Sequence, residues 1–188
     1  MTTKKVHVTW PDVESQCQEI LRQIHLDSWR PDYIVGLTRG GLTPANLISQ
    51  YLDCRMETLK VSLRDGGAQE SNLWMAEDAF GYVPYQGTEL PAPSDRVTTD
   101  PALRKKILIV DDINDTGATL NWIKEDWPSG CLPTDPGWQD IWGDNVRVAC
   151  LYDNESSKSK LDVTYSAVTI NKAAEDCWIV FPWESWWI

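Results

Sequence analysis

The sequence predicts an α/β fold, a mostly parallel central sheet flanked by helices, and three observations carry that prediction. Short apolar runs of strand length recur at residues 33–37, 56–62, 107–110, 146–152 and 164–170, with helical patterns between several of them. That alternation builds parallel sheets covered on both faces. The run at 107–110, Ile-Leu-Ile-Val, holds no polar position, as a strand buried on both sides requires. Two of the runs end in turns of unusual chemistry, Thr38-Arg39-Gly40-Gly41 and Asp111-Asp112. Ligands in such sheets bind at the carboxyl ends of the strands.

Taken in order, residues 6–10 read as a short strand or lead-in. The helix that follows carries Val13, Cys17, Ile20, Leu21 and Ile24 at helical spacing. Thr9 and Asp12 stand at capping-box spacing, and Pro11 suits the first turn. Residues 33–37 form the first core strand, followed by a helix over 43–52 and a strand over 56–62. The strand at 107–110 enters Asp111-Asp112 and then a helix over 116–127, with later strands at 146–152 and 164–170. Two segments break the pattern. Residues 64–104 hold Gly66, Gly67, Gly81, Gly87, Pro84, Pro91 and Pro93, and residues 128–144 hold Pro128, Gly130, Pro133, Pro136, Gly137 and Gly143. Long loops inside a compact domain are often lids or binding loops, so 64–104 is expected to be an inserted lid and 128–144 a second insertion. No repeat or composition shift divides residues 1–188 into more than a single domain.

The chain has 188 residues, with 17 Lys and Arg against 28 Asp and Glu, for a net charge of −11. A chain of this length buries roughly 70% of its unfolded surface, enough for a full core. The negative balance argues against nucleic-acid or anionic-membrane surfaces, which rest on Lys and Arg neutralising phosphates. A phosphate ligand must therefore be held locally, by backbone amides, a few arginines or a metal. The five scattered cysteines show no C-x-x-C pair, which suits reduced thiols and a cytoplasmic location rather than a disulfide framework or zinc site. No signal-peptide pattern opens the chain, and no stretch approaches the ~18 apolar residues that span a bilayer.

Residues 107–119, Ile-Leu-Ile-Val-Asp-Asp-Ile-Asn-Asp-Thr-Gly-Ala-Thr, carry the chemistry. A buried strand delivers two adjacent carboxylates to the sheet edge, and a turn of small and hydroxyl residues opens a helix. The amides of that helix start, with the Thr116 and Thr119 hydroxyls, make a cradle for phosphate. The paired carboxylates suit vicinal sugar hydroxyls or hydrated Mg²⁺. Two acids after a strand can also be a mere solvated turn, but D-x-x-D-T-G-x-T completed in register points to a ribose phosphate. No P-loop and no G-x-G-x-x-G competes for the nucleotide role.

This segment resembles the phosphoribosyl pyrophosphate (PRPP) motif of the type I phosphoribosyltransferases. Val8-Thr9-Trp10, Thr38-Arg39-Gly40-Gly41-Leu42-Thr43-Pro44 and Asp176-Cys177-Trp178-Ile179-Val180-Phe181-Pro182-Trp183-Glu184, in that order, narrow the resemblance to the bacterial xanthine-guanine (6-oxopurine) phosphoribosyltransferase group. The resemblance implies that group's fold, with a C-terminal base-binding hood over 171–188. It also implies a purine-salvage enzyme that moves 5-phosphoribosyl from PRPP to xanthine, guanine or hypoxanthine and releases pyrophosphate with Mg²⁺. Asp111 and Asp112 would bind the ribose hydroxyls, with Asp112 the Mg²⁺ contact. The 5′-phosphate would sit on the amides of Asp115, Thr116, Gly117, Ala118 and Thr119. Asp115 would be the catalytic group that handles the purine N7 proton; helix capping is the structural alternative. Arg39 and Gly40 would hold pyrophosphate in a loop with a cis peptide between Thr38 and Arg39. Trp178 would stack on the base while the Ile179 backbone meets its exocyclic edge. Trp183, Trp186 and Trp187 read as packing residues, and Glu184 as support for a metal. Homo-oligomers, dimers or tetramers, are usual in the group.

The resemblance breaks in two places. The group's lysine that donates to the purine 6-oxo oxygen is replaced by Asp153, leaving Asn154 or Lys158 to substitute. Ser62-Leu63-Arg64-Asp65 stands where the usual Ser-Tyr lid pair belongs, and the insertion adds Trp74, Phe80, Tyr82 and Tyr85. Two other readings stay open: a non-catalytic PRPP-sensing regulator, and a phosphoribosyltransferase for another base such as adenine.

Overall fold

A computed structural model describes residues 3–61, 72–83 and 98–184 of the chain. Thr9 caps α1 (Trp10–Leu26): its hydroxyl accepts from the Asp12 amide, and the Asp12 carboxylate reaches back to the Thr9 amide at 2.8 Å. Because Thr9 is the cap, the strand before it closes early, as β1 (Lys4–His7) rather than 6–10. The periodic face of α1, Val13, Cys17, Ile20, Leu21 and Ile24, is buried as its spacing predicts.

Five parallel strands form the main sheet. These are β2 (Tyr33–Thr38), β3 (Arg55–Lys60), β4 (Ile107–Asn114), β5 (Val146–Asn154) and β6 (Tyr165–Ile170), in the order β3-β2-β4-β5-β6. Helix α2 (Leu42–Leu52) connects β2 to β3. Apolar residues fill both faces, one cluster including Val35, Leu37, Ile109 and Val148, the other Ile34, Leu108, Val110 and Leu151. β4 outlasts its apolar run because pairing with β5 continues through Asp111↔Cys150, Ile113↔Tyr152 and Asn114↔Asp153. The expected helix start at 116 moves to Ala118 in α4 (Ala118–Gly130), since Gly117, at φ 83°, is the turn residue before it.

The two expected insertions are partly core. Within 64–104, α3 (Leu73–Phe80) buries Met75, Ala76, Ala79 and Phe80, and Pro101–Leu103 form one turn of 3₁₀ helix. Of the described residues in that span, 73–80 therefore form a buried helix beside the sheet. Arg64 and Tyr85 lie outside the described residues. Within 128–144, α4 runs through Pro128 to Gly130, and α5 (Trp138–Ile141) buries Trp138 and Ile141. Phe80, Trp138, Trp142 and Trp127 pack in a row with ring centroids 5.3, 5.6 and 5.7 Å apart, Trp138 and Trp142 stacked and the outer pairs tilted. These insertion aromatics fill the core; Trp74, 39% exposed, is the one left at the surface among the described tryptophans of the two segments.

β7 (Cys177–Val180) pairs in parallel with β1 as a separate two-stranded sheet, in the register Lys5↔Trp178. The tail thus forms a small layer beside the carboxyl end of the main sheet. All five cysteines are unpaired. Among the described residues no helix is long and apolar enough to cross a membrane.

Candidate active site

The carboxyl ends of β2 and β4, the start of α4 and the tail around β7 enclose a cleft of about 820 Å³. The residues nominated for PRPP and for stacking on the base, Arg39, Gly40, Asp111, Asp112, Asp115–Thr119, Trp178 and Ile179, all line it. A second cavity, about 570 Å³, lies against Trp29 between α1 and the end of α2 and contains none of them.

Contact at the β2 end is backbone against carboxylate. The Thr38–Arg39 peptide is cis, and a Cβ on Gly40 would fall 2.0 Å from Asp112 Oδ2. Only glycine lets this loop lie on the acidic pair. The Asp112 amide donates to Asp111 Oδ1 at 2.9 Å, and the Ile113 amide to Asp112 Oδ1 at 2.8 Å. Burial pushes the Asp112 carboxyl up to about 6, and the negative charge of Glu184 adds to the shift, against the lowering effect of hydrogen bonds to its carboxyl from the Asp111 side chain and the Ile113 amide. Glu184 itself accepts from the Phe181 amide at 3.0 Å. A cation at this end would reverse the penalty on Asp112. Among the described residues no cluster of three or more His, Cys, Asp or Glu side chains stands ready to hold a metal. One or two carboxylates with ligand oxygens completing the shell is the pattern of Mg²⁺.

The N-cap Gly117 has no side chain to cap α4, and only the Ala118 amide finds a side-chain acceptor, the Thr116 hydroxyl at 3.3 Å, so the helix start still presents amides and the positive end of its dipole to the cleft. Gly117 is needed there twice over: its φ is positive, and a Cβ would meet the Ser159 amide at 2.3 Å. Arg39 and Lys60, the latter not foreseen from sequence, add cationic side chains to the lining.

The opposite end is built for a flat apolar ligand. In β7, Cys177 and Ile179 turn inward while the intervening Trp178 is 43% exposed, as strand alternation dictates. A tryptophan serving only the core would not stand so open. Phe181 and Trp183, both in the cleft lining, stack on each other at 4.8 Å with nearly parallel rings, and Trp10 lies 6.0 Å from Trp183; Trp186 and Trp187 lie outside the described residues.

Asp115 is not the cap of α4, which is Gly117. Its Oδ1 lies 2.9 Å from Lys172 Nζ, and that ammonium stands 5.8 Å from the centre of the Trp178 ring. Lys172 was not nominated from sequence. Asp153, at the position of the missing lysine, accepts from Asn114 Nδ2 at 2.8 Å and does not line the cleft. Nor do the two expected substitutes: Lys158 lies behind Gly117, its amide bonded to the Thr116 carbonyl, and Asn154 is 5% exposed and donates to the Asp115 carbonyl at 2.8 Å. The cation comes instead from the connection between β6 and β7, within the expected base-binding tail. The one legible signal was a lysine six residues before the aromatic that faces the cleft.

Residues 8–185 match the phosphoribosyl transferase domain family. The xanthine-guanine phosphoribosyltransferase of Cereibacter sphaeroides is 27% identical over 187 residues, covering 96% of this chain and 87% of that protein. Among solved structures, the purine phosphoribosyltransferase of Pyrococcus horikoshii is similar at a TM-score of 0.57 and 26% identity, covering 96% of this chain and 95% of that one. The Helicobacter pylori xanthine-guanine-hypoxanthine phosphoribosyltransferase shares the fold at a TM-score of 0.59 and 19% identity, covering 96% and 94%.

Proposed function

The chain belongs to the phosphoribosyl transferase domain family, and on that footing we propose that it is a purine-salvage enzyme transferring 5-phosphoribosyl from PRPP to a 6-oxopurine. One observation carries the reading: the acidic pair, the glycine-capped start of α4 and the Asp115–Trp178 end share a single cleft. Together they suit a ribose diol, a 5′-phosphate and a stacked base, the parts of a nucleotide product.

In this reaction a purine nitrogen displaces pyrophosphate from ribose C1 through an oxocarbenium-like state, and orientation and charge neutralisation do most of the work. Asp111 and Asp112 hold the ribose hydroxyls and the α4 amides hold the 5′-phosphate. Arg39 and the Gly40 backbone face the departing pyrophosphate, with Lys60 close by. Trp178 stacks on the base, an interaction worth about 1–3 kcal/mol. Ile179, 6% exposed, offers its backbone to the exocyclic edge. Asp115 accepts the proton that leaves N7. Asp112 is the side chain that would hold Mg²⁺, which when bound neutralises the pyrophosphate as it leaves. We place the enzyme in the cytoplasm, consistent with its unpaired cysteines. Exposed Leu47, Tyr51 and Trp74 favour a dimer or tetramer, which sedimentation tests.

The deciding experiment is a coupled pyrophosphate-release assay with PRPP, Mg²⁺ and xanthine, guanine, hypoxanthine, adenine or orotate. Turnover is expected with at least one of the first three and is lost in Asp115→Ala. Turnover with adenine alone overturns the substrate class, and PRPP binding without turnover on any base assigns the chain a sensing role.

A further inference from the structure

We propose that Lys172, Asp115 and Asn154 form one base-reading unit, in which Lys172 determines specificity and Asn154 is the positioning residue; this rests on the purine reading above. The Lys172 ammonium stands 2.9 Å from Asp115 Oδ1, and both groups line the cleft beside the exposed ring of Trp178. An ammonium only donates hydrogen bonds and an ionised carboxylate only accepts them. Together they present a donor next to an acceptor. A 6-oxopurine protonated at N7 offers the complement on one edge, the O6 acceptor beside the N7–H donor. In the free protein the two side chains satisfy each other, with Lys172 and Asp115 only 15% and 22% exposed. A base stacked on Trp178 exchanges that ion pair for two hydrogen bonds. Adenine puts an amino group opposite the ammonium, donor against donor, and is rejected because a desolvated polar group is then left unpaired.

The spacing of the pair is set by Asn154, at the end of β5. Its Nδ2 donates to the Asp115 carbonyl at 2.8 Å and its Oδ1 accepts from the Lys172 amide at 3.0 Å. One buried carboxamide thus ties together the turn before α4 and the connection after β6. The Ser156 hydroxyl donates to the same Oδ1 at 2.8 Å, which fixes the orientation of the amide. Asp153, one residue earlier, accepts instead from Asn114 Nδ2, which also donates to the Ser157 hydroxyl at 3.0 Å. The end of β5 therefore contributes a brace, and the cation arrives from the next connection.

Four variants test this: Lys172→Met removes the charge, Lys172→Arg keeps it, Asn154→Ala removes both arms of the brace, and Asn154→Asp keeps the acceptor for Lys172 while losing the donor to Asp115. The measurements are KM for guanine, adenine and PRPP, and calorimetric binding of GMP against AMP. Lys172→Met is expected to raise KM for guanine at least tenfold, leave KM for PRPP within twofold and erase the preference for GMP over AMP; Lys172→Arg restores part of both. Asn154→Asp is expected to raise the guanine KM while sparing that of PRPP, a split that general loss of structure in Asn154→Ala would not give. An unchanged guanine KM and GMP preference in Lys172→Met overturns the proposal. If the parent turns over no purine but prefers GMP, and Lys172→Met abolishes that preference, the pair stands and only the enzymatic reading falls.

Discussion

Asp112 is a carboxyl held where its own ionisation is unfavourable, so in the absence of a cation it costs stability once ionised. Its folded value of about 6 lies above that of an unfolded aspartate, so the native state keeps the proton longer as pH rises. The resulting stabilisation is full below about pH 4 and is lost as pH rises through 6. Asp112→Asn is therefore expected to match the parent's melting temperature near pH 4 and exceed it above pH 6, while PRPP binding drops at least tenfold. Thermal melts across that range check the first part and calorimetry the second; a variant less stable above pH 6 contradicts it. Most site residues were legible because they are contiguous in 107–119 or sit in short motifs. Lys172 was not, because its approach to Asp115 is made by the β6–β7 connection and the Asn154 brace, neither of which leaves a local pattern.

At the level of elements, the strands with unbroken apolar runs were legible and those depending on distant partners were not. β7 needs β1, more than 170 residues away in the chain, and its four residues read from sequence as part of a tail. α3 was hidden among glycines and prolines, yet it carries Phe80, 3% exposed and 5.3 Å from the Trp138 ring. Removing a buried phenylalanine side chain costs about 3–5 kcal/mol. Phe80→Ala is expected to lower unfolding free energy by about that much in urea titration. A loss below about 1 kcal/mol would return α3 to the surface and to the lid first expected there.

Across the whole molecule, parallel strands and a two-stranded hood bring acidic, amide and aromatic surfaces into one cleft, in a chain of net charge −11. Asp111, Asp112, Asp115 and Glu184 would face a substrate that is itself a polyanion. Arg39, Lys60, Lys172 and the start of α4 offset that charge but not the substrate's own, which is the whole-molecule argument for a divalent cation. Chelation with EDTA is expected to abolish pyrophosphate release and added Mg²⁺ to restore it; turnover undiminished in EDTA contradicts that need. The architecture was visible in the alternation of strands and helices, whereas the pairing of β1 with β7 was not, because it is a contact between distant segments rather than a pattern within either. The most direct measurement is mass-spectrometric identification of the nucleotide formed from PRPP and an equimolar mixture of guanine, hypoxanthine, xanthine and adenine. Phosphoribosyl transfer to a 6-oxopurine predicts GMP, IMP or XMP, absent with Asp115→Ala; AMP as the sole product, or no nucleotide at all, contradicts it.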